Sequence, residues 1–350
     1  SGEDRLSTSR TENRIDLALH TFSYEQHFLH MPGFDAHAFL AKASELGVAG
    51  VHLSLNGVNF RCAGGTSPER LAEIAADAHE RDFFMECDTS GTDPDHLVSL
   101  ARATRQLGGD RLRTYTRHTG AIEDVITATA RDLGAAMPRV ADEGVTLLLE
   151  NHEDFTGQEV AALIDRVAHP ALAALFDFGN SMNVLEDPLE AARAMVPHVR
   201  SVHLKDQAVI SNGDGAPEII GVVNGTGSVD IKSILALLID DAGIERLCLE
   251  SSHGYRSDIA RHADRLGQTT SPTFAIREAP YAPETIPLHL DALRRSDPQA
   301  LFNLEQGAVA AGMAHTRRIL GELGFSPVLN SRGGRYTRGT QELAFAQRHF

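Results

Sequence analysis

The last four of eight apolar runs along the chain each end on a side chain that can bind a metal or carry a proton. VTLLLE closes on Glu150, AALFD on Asp177, VRSVH on His203 and RLCLE on Glu250. Taken singly, each has an ordinary explanation: Asp177 ahead of Phe178-Gly179 could open a turn, and Glu250 could cap a helix. Three bare carboxylates brought to one rim would repel each other, and a cation removes that repulsion. Three oxygen donors and one nitrogen suit a hard or borderline divalent ion with positions open for substrate oxygens. Mn²⁺ is the expected ion, with Mg²⁺ or Co²⁺ as alternatives; no thiolate belongs to the set, which argues against a structural zinc site. Such an ion polarises a carbonyl so that a well-placed carboxylate can remove a proton from the neighbouring carbon.

For these four side chains to meet, the runs that carry them must be neighbouring strands. Strands are expected at Ile15–His20, Ala49–Ser54, Phe83–Asp88, Leu112–Arg117, Val145–Glu150, Ala173–Asp177, Val199–Leu204 and Arg246–Glu250. Most start roughly 30 residues apart, the length of one strand, one helix and two turns. Helices are expected between them at Asp35–Leu46, Pro68–Arg81, Pro94–Leu107, Ile122–Glu143, Gly157–Val167, Pro188–Met195 and Ile231–Asp241. Ser67-Pro68 and Asp187-Pro188 place a polar N-cap before a first-turn proline, while Gly47 and Gly144 follow two helix ends as C-cap glycines. No Gly-rich phosphate turn follows the first strand, so a doubly wound dinucleotide-binding sheet is disfavoured. The reading is an α/β protein, a (β/α)₈ TIM barrel with a C-terminal extension, whose catalytic mouth lies at the C-terminal strand ends.

Two stretches exceed that plan. Residues Gln207–Gly227 form an extra Gly-rich loop expected over the mouth, and about 100 residues follow Glu250. The extension is placed from about 256, with a helix around Leu304–Leu323 and a tail over 331–350; residues 15–330 count as one barrel domain. Residues 1–14, polar and without a hydrophobic segment, are expected to be a disordered arm and not a signal peptide.

Composition narrows the partners. The chain has 350 residues and a formal net charge of −16, which disfavours nucleic acid and anionic membrane surfaces as main partners. No apolar stretch approaches the length of a membrane span. The three cysteines, Cys62, Cys87 and Cys248, have no CxxC spacing and suggest reduced thiols in a cytoplasmic protein.

The motifs LLLENH at Leu147–His152, LFDFGN at Leu175–Asn180, VHLKD at Val202–Asp206, GTGSVD at Gly225–Asp230 and LCLES at Leu247–Ser251 have a familiar order. Over about residues 15–255 the chain resembles the xylose isomerase-like TIM-barrel family, the sugar phosphate isomerase and epimerase group. The resemblance implies a metal bound by Glu150, Asp177, His203 and Glu250. It further implies two glutamates, Glu150 and Glu250, that remove and return a proton beside a carbonyl through a metal-stabilised enediolate. The chain departs from the ketose 3-epimerase pattern where Asn180 replaces a histidine and His152 occupies a substrate-contacting position.

A branch acting on 3-keto glycosides, which includes C-glycoside deglycosidase catalytic subunits, offers an alternative. There His152 would be the base or acid of a lyase that eliminates the aglycone. The longer tail would suit a homo-oligomer or a subunit that meets a smaller partner. The endonuclease IV branch is remote, because Asn180 stands at a histidine position and Asp230-Ile231-Lys232 lacks a DxH pair. A non-catalytic sugar-binding subunit is the reading from a different class.

Further substrate contacts are expected from His20, His52 and His118 at or near strand ends, from Asn180 just past the sixth strand, and from Lys205, which shares the inward side with His203. Asp206 could orient His203, and Glu305 is expected to serve a helix start. The expected substrate is a small sugar or glycoside.

Overall fold

Apolar runs bounded by glycine turns become strands wherever alternate side chains can be buried on both faces of a closed sheet. In the computed structural model, residues 13–339 are described, apart from 212, 214 and 330. The strands are β1 (Asn13–His20), β2 (Gly50–Ser54), β3 (Phe84–Asp88), β4 (Arg111–Thr114), β5 (Thr146–Glu150), β6 (Leu172–Asp177) and β7 (Val199–Leu204). A hairpin follows, β8 (Asp206–Ile210) and β9 (Glu218–Val222), and then β10 (Arg246–Leu249). Strands β1 to β7 pair in parallel in chain order, and β10 pairs in parallel with both β7 and β1. The result is a closed eight-stranded parallel barrel, as the spacing predicts.

Helices α1 (Glu25–His30), α2 (Ala36–Glu45), α3 (Pro68–Glu80), α4 (Pro94–Gln106), α5 (Ile122–Asp142), α6 (Gly157–Val167), α7 (Pro188–Met195) and α8 (Ile231–Leu237) lie along the chain. The Ser67 side chain accepts the Arg70 N–H at 3.2 Å, and Asp187 accepts that of Leu189 at 2.9 Å, so both expected caps form. Gly47 and Gly144 take positive φ, 63° and 72°, at the ends of α2 and α5.

The period of two along each strand divides the core. Leu147, Leu149, Ala174 and Phe176 join the large outer core under the helices, whereas Leu148, Ala173 and Leu175 form a small separate cluster. The residues that share the latter parity run along the strands to Glu150 and Asp177. The same alternation places Glu86 two residues below Asp88, Arg111 below Arg113 and Ser201 below His203. Glu86 accordingly meets Ser201 at 2.8 Å, Arg246 at 2.9 Å and Arg111 at 3.3 Å.

The extra loop is a hairpin. β8 and β9 pair antiparallel, extended by β11 (Arg256–Ser257) and β12 (Ile276–Arg277) into a four-stranded sheet that rises from the end of β7. The segment continues through α9 (Leu290–Ser296) and α10 (Pro298–Glu322) to β13 (Ser326–Pro327) and β14 (Arg335–Arg338). α10 starts at Pro298, six residues before the expected Leu304, because Asp297 caps it by accepting the Ala300 N–H at 3.0 Å.

This helix completes the outer ring. Glu322 pairs with Lys232 of α8 at 2.9 Å, and Arg317 donates to the carbonyls of Leu46 and Gly47 just past α2. β14 pairs antiparallel with the first half of β1, Asn13↔Arg338 to Asp16↔Arg335. Part of the expected tail is thus a strand, and β1 begins two residues inside the expected arm. Of these two segments, residues 1–12 and 340–350 lie outside the described residues.

Candidate active site

The strand ends bring the four predicted donors together. Glu150 closes β5, Asp177 closes β6, His203 lies near the end of β7, and Glu250 follows β10 by one residue. One donor atom from each lies within 4.8 Å of all the others. His203 Nδ1 is 3.3 Å from Glu250 Oε2 and 3.4 Å from Glu150 Oε1. Asp177 is aimed by its own turn: Oδ1 accepts the N–H of Gly179 at 2.8 Å and of Asn180 at 2.9 Å, leaving Oδ2 3.1 Å from Lys205 Nζ. Lys205 Nζ also lies 4.0 Å from Glu250.

Charge in this cluster is balanced only by close neighbours. Burial would raise the Glu150 carboxyl, but Arg113 and His203 outweigh it and hold it at about 2. Glu250 likewise lies well below the usual carboxylate range, burial being outweighed by His203 and Lys205. Burial lifts Asp177 to about 7 despite Lys205, with Glu250 and Glu150 adding to the rise. Burial would lower His203, yet Glu250 and Glu150 push it to about 10. His203 Nδ1 and Glu150 Oε2 are buried without a hydrogen-bond partner among the described residues, and Asp177 Oδ2 has only the Lys205 ammonium beside it. Three carboxylates sharing a proton on His203 and one ammonium are what a divalent cation would relieve, so the residues fit such an ion. His20, His203 and Glu250 form an overlapping trio, but the Phe22 N–H donates to His20 Nδ1 at 2.8 Å and occupies that lone pair.

Above the cluster opens a cavity of about 290 Å³ lined by Glu250, Lys205, His20 and His152 among others. His152 stacks flat on Tyr115, ring centroids 3.6 Å apart, and burial lowers it to about 4, so its imidazole is neutral at pH 7. Phe22 and Tyr255 meet edge to face at 5.9 Å, and the Tyr255 hydroxyl donates to Glu153 at 2.8 Å. Arg113 joins Asp88 to the cluster: it donates to Asp88 Oδ2 and holds Nε 3.6 Å from Glu150 Oε2. His20 Nε2 lies 3.1 Å from the same Asp88 oxygen.

Several expected contacts fall elsewhere. His52 is buried behind His203, their facing nitrogens 3.1 Å apart, and does not line the cavity. His118 turns outward to Asp132 on α5, 2.7 Å away, because β4 ends at Thr114, short of the expected Arg117. Asn180 is buried beside the Asp177 turn, with both side-chain polar atoms lacking partners among the described residues.

Asp206 does not orient His203. Its carboxylate instead accepts the N–H groups of Gln207, Gly225, Gly227 and Val229, tying the hairpin's return to its start. Glu305 lies inside α10 and serves the start of another helix, α1, by accepting the N–H groups of Gln26 and His27. Arg113 and Asp88 were missed by the sequence reading, although Asp88 ends the third expected strand just as Asp177 ends the sixth.

A family model described as xylose isomerase-like TIM barrel matches residues 40–266. The uncharacterized protein YihM of Escherichia coli K12 is 26% identical over 266 residues, 75% of this chain and 80% of the relative. The 3-oxo-isoapionate decarboxylase of Pectobacterium atrosepticum is 26% identical over 172 residues, 48% of this chain and 61% of the relative. Among solved structures, D-psicose 3-epimerase with D-tagatose from Clostridium cellulolyticum H10 superposes with a TM-score of 0.59 at 14% identity, covering 87% of this chain and 99% of its own. That likeness is one of fold. Among the described residues no helix is long and apolar enough to cross a membrane.

Proposed function

The chain belongs to the xylose isomerase-like TIM-barrel family, and from that premise we propose that it is a divalent-metal-dependent enzyme of the sugar isomerase and epimerase type. The observation that carries this reading is the convergence of Glu150, Asp177, His203 and Glu250, with donor atoms inside 4.8 Å, at the mouth of the barrel. An ion held there, Mn²⁺ in our reading, would supply Lewis acidity to a substrate carbonyl.

The chain's own groups do the rest. Glu250 borders the cavity and is ionised, so it can take the proton from the carbon beside the carbonyl. Glu150, ionised beside Arg113, is the second carboxylate at His203; carrying a proton taken up from a substrate hydroxyl or solvent, it would protonate the opposite face, and Glu250 would release its proton in exchange. Inversion requires the two to address opposite faces of that carbon. A positioned carboxylate needs no great basicity for this work, because proximity supplies much of the rate.

Lys205 and His20 border the same cavity and can hydrogen-bond substrate oxygens. The lining holds four cationic side chains, Arg61, Arg113, Arg117 and Lys205, against four carboxylates, Glu25, Asp88, Glu153 and Glu250. That balance suits a neutral, hydroxyl-rich sugar. A cytoplasmic location and an oligomer of the chain, with or without a smaller subunit, belong to the same reading.

The second reading is a lyase acting on a 3-keto glycoside, and one observation favours it. His152 gives the cavity a neutral imidazole in addition to the two glutamates, a group able to take or give a proton as an aglycone departs. Incubation of metal-loaded protein with ketoses and 3-keto glycosides in D₂O separates the readings. Deuterium entering recovered sugar supports epimerisation or isomerisation, and aglycone release supports the lyase. Absence of both, with Glu250→Gln behaving as the parent, would leave a binding subunit.

A further inference from the structure

The interior of the barrel carries a line of polar contacts that leads downward from His203. His203 Nε2 faces His52 Nδ1 at 3.1 Å, and His52 Nε2 lies 3.2 Å from the Glu86 carboxylate oxygen Oε2, near enough for electrostatic attraction though without hydrogen-bond alignment. Glu86 in turn accepts from the Ser201 hydroxyl at 2.8 Å and from Arg246 at 2.9 Å. Arg246 is itself fixed by Asp110, at 2.7 and 3.1 Å, and lies over the Phe84 ring. His52 and Glu86 are each 2% exposed or less, so neither is a solvated bystander.

We propose that His52 and Glu86 are positioning residues for the metal centre, fixing His203 in the tautomer whose Nδ1 lone pair points at Glu150 and Glu250. This rests on the metal reading above and extends it to two side chains outside the ligand set. An ionised carboxylate is acceptor-only. Glu86, surrounded by Arg111, Arg246 and Ser201 as donors, therefore requires the proton of a neutral His52 to sit on Nε2. That leaves a lone pair on His52 Nδ1, which can only accept. His203 must then carry its hydrogen on Nε2, and its Nδ1 is the atom presented to the ion. The arrangement fixes ring orientation as well as tautomer, the role that outer partners of a metal-binding histidine commonly play. A leucine at 52 would fill much of the same volume but would leave the buried His203 N–H with no acceptor.

Mn²⁺ binding to metal-free protein, read as loss of the free-ion electron paramagnetic resonance signal, tests this without recourse to turnover. The parent should bind Mn²⁺; if it does not, the metal reading and this inference both fall. With a binding parent, His52→Leu should weaken affinity by roughly 10–100-fold, the range found when such partners are removed. His52→Gln, whose amide oxygen can accept from His203, should recover most of that loss. Glu86→Gln should weaken binding in the same direction, because its amide can donate to His52 Nε2 and reverse the proton order. Binding within twofold of the parent in both His52→Leu and Glu86→Gln would overturn the inference while leaving the metal reading intact. If His52→Leu fails to fold, the two glutamine variants decide it: loss in Glu86→Gln with retention in His52→Gln supports it, and parent-like binding in both overturns it.

Discussion

Glu305 and His27 are 278 residues apart in the chain, yet Glu305 Oε2 lies 2.5 Å from His27 Nδ1. With the N–H groups of Gln26 and His27 also donating to it, this one carboxylate ties α10 to the first turn of α1 beside the cavity. Glu305→Ala leaves three donors without that acceptor and should cost about 2–3 kcal/mol of stability. Glu305→Gln, which keeps an acceptor oxygen, should recover part of it. Urea denaturation of both variants checks the order, and hydrogen exchange of residues 25–30 should accelerate first.

Metal binding should stabilise the fold. An ion that binds only the native state at 100 times its Kd adds about 2.7 kcal/mol. Thermal unfolding with Mn²⁺ against unfolding with a chelator should therefore differ by several degrees. Asp177→Asn should lose most of that difference, because Oδ2 is the oxygen its turn leaves free for the ion.

Two glycine substitutions should move stability in opposite directions. Gly334 has φ of +71°, and a Cβ there would stand 2.2 Å from the Ala49 backbone nitrogen. Backbone cannot swing aside as a side chain can, so Gly334→Ala should destabilise by more than about 2 kcal/mol. Gly134, in α5, has nothing within 4 Å of its absent Cβ. Gly134→Ala should stabilise by about 0.5–1 kcal/mol through helix propensity. Chemical denaturation midpoints give both signs.

Stability should also fall as pH rises through the weakly acidic range. Burial lifts the Glu186 carboxyl from 4.5 to about 7, despite the Gly157 N–H that donates to it. Between those values the unfolded chain has released a proton that the native state retains, so stability is greater at the acid end of that window and is lost toward pH 7. Glu186→Gln should flatten this part of the profile, measured as unfolding free energy at a series of pH values.

Much of the site was legible because a parallel barrel turns sequence position into spatial position. Glu150, Asp177, His203 and Glu250 could be read from strand ends alone. The same rule applied to the third and fourth strands points to Asp88 and, one layer in, Arg113; neither stood out because each also reads as an ordinary strand residue. His118 was misplaced by a boundary, since three residues lie between the end of β4 at Thr114 and this histidine and carry it outward to Asp132. Asp206 could not be assigned from sequence because its four N–H partners come from its neighbour Gln207 and from residues 225–229, which only hairpin closure brings near. Glu305 was read correctly as a helix-start residue in kind, but for the wrong helix, because local sequence gives no sign of which element α10 will meet.

The pairing of β1 has a consequence for how the chain is made. β1 is made well before its partners β10 and β14, and α10, which completes the helical ring beside it, comes between them. Until β10 has emerged, β1 has only β2 at its side, and its first half lacks β14 until residue 338 is out. Such late long-range pairing makes assembly slow and leaves a sticky edge exposed meanwhile. Nascent chains arrested before β14 should leave β1 open to protease and offer a recurrent docking point to chaperones, even with every proposed metal ligand already synthesised.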